Sequence, residues 1–241
     1  MLSLFCRMNK LTQKALSLAE SPFIHNARVL AVRVWEPDTV REIDLHLPDC
    51  NMNKWTSPQH IKFKVGNFIY RDYTPSGWDA ETRTCTLIIH TGHEGPGSRW
   101  GKTLKTGDTV NYMGVESSHQ QPVEGKPLVF LGDETAIGHF LALRQLAGES
   151  ASIGGAVVLS EPHHRDEFGQ YFFGWGLRSL EKGTTRNYKE LDCWLMGLSL
   201  PLREDTVFYL AGYSPEIGRL RRLLRQKGVN PGQVKARGFW D

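Results

Sequence analysis

The sequence predicts a mixed architecture: an N-terminal antiparallel six-stranded β-barrel followed by a small, doubly wound parallel α/β domain. Three observations carry this. Segments 27–35, 40–48, 60–65, 67–74, 84–91 and 108–114 are short, rich in Val, Ile, Thr and aromatic residues, and parted by Pro, Gly, Asp and Asn. Six such strands with no long helices between them suggest an antiparallel barrel or sandwich. A polar stretch, Glu116–Pro127, then breaks the pattern and reads as a linker. Beyond it the period changes: 128–148 and 206–229 each read as buried strand, tight turn and apolar helix, and 154–162 is a further buried strand. Strand–helix alternation of this kind builds a parallel sheet with helices on both faces.

Length agrees with two domains. The 241 residues, 40% of them hydrophobic, suffice for two modest cores at roughly 100–200 residues per domain. The expected units are a leading helix at 1–22, the barrel at 23–118 and the α/β domain at 119–241. In the first unit Leu11, Ala15, Leu16, Leu18 and Ala19 recur at helical spacing before Ser21 and Pro22 end the pattern.

Charge and cysteine usage narrow the function classes. A net charge of +3, spread along the chain, does not make nucleic acid the default partner. The run Arg219, Arg221, Arg222 and Arg225 reads as a solvated helix face. Cys6, Cys50, Cys85 and Cys193 are isolated, with no partner His at ligand spacing, so neither a disulfide framework nor a protein metal site is expected. The first ten residues lack a charged n-region and a small-residue cleavage site, and no apolar stretch is long enough to span a bilayer. A cytoplasmic monomer is the expectation.

Four stretches bear on chemistry. Gly132 to Ala136 and Ala211 to Pro215 lie where strands of the α/β domain turn into helices, the end at which doubly wound sheets bind ligands. Each turn can offer backbone N–H groups and a positive helix end to phosphate, and each reads equally as an ordinary capped turn. Glu94 to Asp108 holds a Gly–Pro–Gly turn and then Ser98, a natural N-cap for a short helix containing Arg99, Trp100 and Leu104. Arg71, Tyr73 and Thr74 end an apolar run in the same domain. At the other end of the chain Phe239 and Trp240 stand where frayed polar residues are usual. They can tuck the tail onto the sheet, cover a planar ligand, or both.

In this order, Arg71-Asp72-Tyr73-Thr74, Glu94-Gly95-Pro96-Gly97-Ser98-Arg99-Trp100, Gly132-Asp133-Glu134-Thr135-Ala136, and Ala211-Gly212 with Gly238-Phe239-Trp240 resemble the siderophore-interacting protein family. These are ferric-siderophore reductases, a branch of the ferredoxin-reductase-like flavoproteins. The similarity runs from about Asn26 to Asp241. It implies a barrel that binds FAD and an α/β domain that binds NADPH or NADH. By that resemblance Tyr73 packs on the isoalloxazine, Arg71 pairs with the pyrophosphate and Thr74 bonds near the reactive flavin edge. Gly97, Ser98 and Arg99 cradle the pyrophosphate. Asp133, Thr135 and Ala136 face nicotinamide and flavin, with Gly212 and Trp240 completing the site. The residue types suit these roles: a tyrosine face matches a planar ring, and a guanidinium fork matches phosphate oxygens.

The resemblance further implies hydride transfer from nicotinamide to flavin, then single electrons to ferric iron in a siderophore, with ferredoxin as an alternative donor. Lys54, Lys62, Lys64, Lys102 and Arg237 are candidates for an anionic chelate because they neighbour the motifs in sequence. His163, His164 and Arg165 follow the second strand of the α/β domain, where dinucleotide folds discriminate the ribose; Arg165 is the candidate for a 2′-phosphate. The chain departs from the family at Pro75 and Ser76, where a basic residue is usual, and at Tyr213, where an acidic one is common. Two other readings stay open: a reductase of quinone or free flavin on the same fold, and a siderophore-binding protein that has lost its flavin.

Overall fold

The computed structural model describes residues 24–118, 120–183, 189–197 and 205–240; the expected leading helix lies outside them. The first unit is a seven-stranded sheet of β1 (His25–Trp35), β2 (Val40–His46), β3 (Gln59–Gly66), β4 (Ile69–Tyr73), β5 (Pro75–Asp79), β6 (Thr84–His90) and β7 (Thr109–Ser117), with helix α1 (Pro96–Thr103) between β6 and β7. Strand order is β4-β3-β7-β1-β2-β6-β5, and the pairings are antiparallel.

The strand beyond the six expected is β5, and its origin is local. Through Tyr73 the chain pairs with β3; from Pro75 onward it pairs with β6. Proline has no N–H for a continuing ladder, and the break at Thr74 carries one run of chain from one end of the sheet to the other. Ile61, Phe63, Leu87 and Ile89 fill the barrel with Val29, Ile43, Leu45 and Tyr112. They alternate along their strands with residues facing outward, the period of two that a pleat imposes.

The second unit has β8 (Leu128–Asp133), α2 (Ile137–Ala147), β9 (Ile153–Leu159), α3 (Arg165–Phe172), β10 (Leu177–Glu181), α4 (Lys189–Gly197), β11 (Val207–Tyr213), α5 (Ser214–Gln226) and β12 (Val234–Trp240). The sheet is parallel throughout, in the order β10-β9-β8-β11-β12. The order reverses between β8 and β11, so the crevice outside their carboxyl ends is the expected ligand site of such a sheet. The stretch after β9 forms a 3-10 turn at Pro162–His164 and then the start of α3 at Arg165. The terminal aromatics lie in β12, an edge strand paired with β11.

The two units share one core. Trp35, Val40 and Ile88 from the outer face of the barrel pack with Ile137, Phe140, Leu141, Phe168 and Phe172 of the α/β domain. Gln145 on α2 both accepts from the Trp78 N–H (3.0 Å) and donates to the Trp78 carbonyl (3.1 Å). Tyr171 donates to Glu42 at 2.6 Å. The polar linker is pinned as well: Ser118 and Gln120 are buried, Gln120 bonds His139, and the Gln121 carbonyl accepts from Tyr209. A continuous apolar seam with such polar ties holds the sheets in fixed register.

Candidate cofactor site at the domain seam

At the barrel end of the seam, β4 and the start of α1 converge. Gly97 packs so closely on Tyr73 that a Cβ there would collide with the Tyr73 hydroxyl and lie 3.3 Å from Arg71 Cγ. Only glycine allows that approach. Pro96 begins the helix, and the first backbone bond closes from the Arg99 N–H to the Gly95 carbonyl at 3.0 Å. The N–H groups of Gly97 and Ser98 therefore precede any intrahelical acceptor. The Ser98 hydroxyl is buried and accepts from the His93 N–H at 3.4 Å.

Two guanidinium groups stand exposed beside that helix start. Arg71 donates to the Tyr70 carbonyl at 2.7 Å and Arg99 to the Glu94 carbonyl. Among the described residues neither has a carboxylate partner. Two cations without carboxylate partners and N–H groups at a helix start are donors of the kind that suits an anion. Tyr73 does something else as well: its ring stacks on Trp100 (5.7 Å, 24°) and lies against Phe63. Burial raises the Tyr73 phenol above its ordinary pKa, against the lowering effect of Arg71, so it remains a neutral donor.

At the α/β end of the seam the donors are already engaged. Asp133 caps its own turn, accepting from the Thr135 N–H (2.9 Å) and hydroxyl, and reaches across the crevice to the Tyr213 N–H at 2.8 Å. Gly212 must have φ 130° and lie against that carboxylate; a Cβ would sit 2.5 Å from Oδ2. Glu134 is buried and accepts from the Ser160 N–H (2.9 Å), the Ser160 hydroxyl (2.5 Å) and His90 Nε2 (3.0 Å). Burial alone would raise its pKa, but the His90 and Ser160 bonds outweigh that and hold it below the usual range. Ala136 is fully buried. In these turns the Thr135 and Tyr213 N–H groups are thus held by Asp133, as in a capped turn.

The remaining sequence candidates scatter. Trp240, 43% exposed, stacks on Tyr213 at 4.3 Å and 30°. Phe239 meets the buried His139 edge-on. Thr74 places its carbonyl 3.0 Å from where a Gly138 Cβ would lie, which brings α2 close to the barrel. Lys62 pairs with Glu116 (3.6 Å), Lys64 lies over Phe68, Arg237 contacts His60 (3.5 Å) and Lys102 lies near Asp38, whose acidity it strengthens after Arg41. The Lys54 side chain is outside the described residues. Arg165 pairs with Glu181 at 2.7 Å, both half-exposed. Arg219 departs from the solvated-face reading by pairing with Glu216 and Asp192. Sequence reasoning missed His90 and Ser160 as parts of the crevice; each is an ordinary residue type whose role depends on strands distant in the chain.

A barrel closed at its edge by α1, joined to a doubly wound sheet with a crevice between them, is the ferredoxin-reductase-like architecture. The barrel segment, residues 31–119, matches the family model described as a siderophore-interacting FAD-binding domain. Among solved structures it is similar to the siderophore-interacting protein from Acinetobacter baumannii, at 18% identity and TM-score 0.74, over 90% of this chain and 89% of that one. A siderophore utilization protein from T. fusca gives 21% identity and TM-score 0.73, over 90% and 92% of the two chains. The ferredoxin reductase in carbazole 1,9a-dioxygenase gives 16% and 0.71, over 90% and 69%. No curated protein matches. Among the described residues no helix is long and apolar enough to cross a membrane, and no cluster of three metal-ligating side chains occurs.

Proposed function

We propose that the chain is an FAD-dependent reductase of chelated ferric iron, drawing electrons from NADPH or NADH and releasing iron(II) from a siderophore. One observation carries the reading: Arg71 and Arg99, without carboxylate partners, flank a helix start where Gly97 leaves no room for a side chain. That arrangement fits a pyrophosphate, and it lies in the segment matched as FAD-binding. FAD, when bound, links a two-electron hydride donor to one-electron acceptors.

This chain's residues then divide the work. Arg71 and Arg99 hold the pyrophosphate with the N–H groups of Gly97 and Ser98. Tyr73 and Thr74 set the depth and edge of the flavin ring. The turns at Asp133–Ala136 and Gly212–Tyr213 shape the nicotinamide side, and Trp240 offers that side a planar face. Arg237 and Lys102 are the cations proposed for the chelate, and Arg165 the one proposed for a 2′-phosphate. Support for the acceptor comes from the names of the structural relatives, which interact with or utilise siderophores.

The test is an anaerobic visible spectrum of the protein supplied with FAD, before and after NADPH and then a ferric siderophore. A flavin band that bleaches with NADPH and returns with the chelate, while a ferrous trap colours, is the expected result. Protein that takes up no FAD overturns the reading. Protein that bleaches but returns only with quinone or free flavin replaces the acceptor.

A further inference from the structure

His90 is the barrel's hold on the nucleotide-side turn. Along β6 the side chains alternate: Leu87 and Ile89 enter the barrel core, whereas Ile88 joins the core shared with the α/β domain. Period two therefore sends His90 outward on the same side as Ile88. There its Nε2 lies 3.0 Å from Oε1 of the buried Glu134.

The carboxylate it meets is a junction. Glu134 follows the last residue of β8 and takes both hydrogen bonds of Ser160, the residue after β9. Its neighbour Asp133 ties the same turn to Tyr213 at the end of β11. Two adjacent carboxylates thus fasten three strand ends of one sheet to each other, and His90 fastens that assembly to the barrel. Other polar ties across the seam act on different parts: Gln145 and Tyr171 hold α2 and α3, and His164 Nε2 meets the Thr39 hydroxyl at 3.3 Å just before α3. His93, whose ring lies 5.5 Å from that of His90, belongs to the loop leading into α1.

We propose that His90 is a positioning residue for electron transfer: by gripping Glu134 it fixes the turn Asp133–Ala136 relative to the flavin-holding strand end at Arg71–Thr74. This rests on the flavin reading above. Transfer between bound rings is sensitive to placement, with a displacement near 1 Å able to cost about a hundredfold in rate. Removing the imidazole also leaves Glu134 with only the Ser160 bonds in a buried site, where a charge without its partner drives rearrangement.

The experiment compares wild type, His90→Ala and His90→Gln; the glutamine retains an N–H donor. In protein without FAD, hydrogen exchange of the Ser160 and Tyr213 amides is followed. In the FAD-loaded protein, FAD affinity and the rate of flavin bleaching at saturating NADPH are measured. His90→Ala is expected to speed exchange at both amides, leave FAD affinity within about twofold and slow bleaching about ten- to a hundredfold. His90→Gln is expected to recover most of the rate. Unchanged exchange in His90→Ala overturns the proposal, as does faster exchange with an unchanged bleaching rate. A glutamine variant as slow as the alanine one, in folded FAD-loaded protein, also overturns it. Wild type that binds no FAD fails the flavin reading itself, and the exchange comparison then still decides whether His90 holds the turn.

Discussion

The two sides of the crevice treat the same chemical groups in opposite ways. On the barrel side, Arg71, Arg99 and the first N–H groups of α1 are left without anionic partners, beside a glycine with no space for a side chain. On the α/β side, the N–H groups of Thr135, Ser160 and Tyr213 are already held by Asp133 and Glu134. The first side leaves donors that an anion could use; the second uses its donors to hold its own shape. The proposed function places the flavin's pyrophosphate on the first and the nicotinamide on the second.

The sharpest way to break this contrast is to remove one charged group from each side. Asp133→Ala deletes the acceptor of the Thr135 and Tyr213 N–H groups in a buried site, and is expected to lower stability by about 2–4 kcal/mol. Arg71→Ala removes an exposed guanidinium; it is expected to leave thermal stability within about 0.5 kcal/mol and weaken FAD binding about ten- to a hundredfold. Paired thermal melts and flavin titrations check both. If Asp133→Ala loses FAD and keeps its stability, the assignment of the two sides is reversed.

The same contrast can be put to two glycines. Gly212 has φ 130° and the Asp133 carboxylate 2.5 Å from its missing Cβ, so Gly212→Ala is expected to cost about 1–3 kcal/mol of stability. Gly97 lies in ordinary helical backbone and meets a side-chain hydroxyl, which can shift at less cost to the fold. Gly97→Ala is expected to move Tyr73 and reduce flavin affinity more than stability. Equal melting shifts for the two variants would remove the distinction.

Much of this was legible in the sequence, and the failures have physical causes. Alternating β-branched residues marked the barrel strands, and buried runs marked β8, β9 and β11, because burial on a pleated sheet leaves a periodic imprint. β10 and β12 escaped because edge strands have one neighbour and mixed composition: Arg178, Ser179, Lys235 and Arg237 interrupt their apolar residues. β5 escaped because Pro75 and Gly77 argue against a strand unless the partner changes there. In the candidate site, the compact motifs holding Arg71, Tyr73 and Gly97 are brought together by the fold. The reach of Asp133 to Tyr213 could not be read, since 80 residues separate the two in sequence. Which of the two readings of each turn, phosphate cradle or capped turn, its Asp133 bonds favour was illegible for the same reason.

A pH series sharpens the contrast from inside the seam. His139 is buried against Gln120 and Phe239. Burial first, then Arg237 and His60, push it down to about 3 from an ordinary 6.5. As pH falls below 6.5 the unfolded chain takes up this proton while the folded chain does not, so stability declines progressively down to about pH 3. By pH 5 the decline is expected to reach about 2 kcal/mol. Glu134 works in the other window: its lowered pKa adds stability above the ordinary carboxylate value of 4.5 and loses it as pH falls further. His139→Asn should lessen the slope of the melting profile from about pH 6.5 down to about pH 3, leaving below 4.5 the part that Glu134 contributes. A slope unchanged by that substitution would mean another group titrates there.

The smallest effect concerns the donor. Arg165 starts α3 after the end of β9, where dinucleotide folds discriminate a ribose, yet its guanidinium pairs with Glu181 at 2.7 Å and both groups are half-exposed. An exposed pair contributes at most about 1 kcal/mol, so Arg165→Ala should leave the melting temperature nearly unchanged. Glu181 also competes with any phosphate for the same fork. The proposed role therefore predicts opposite shifts: Arg165→Ala lowers the ratio of NADPH to NADH efficiency several-fold, and Glu181→Ala raises it. Measuring kcat/KM for both nucleotides in the three proteins decides the matter. A ratio that does not move in either variant assigns Arg165 to the surface of α3, and the choice of nucleotide must then be sought at the turn after β11.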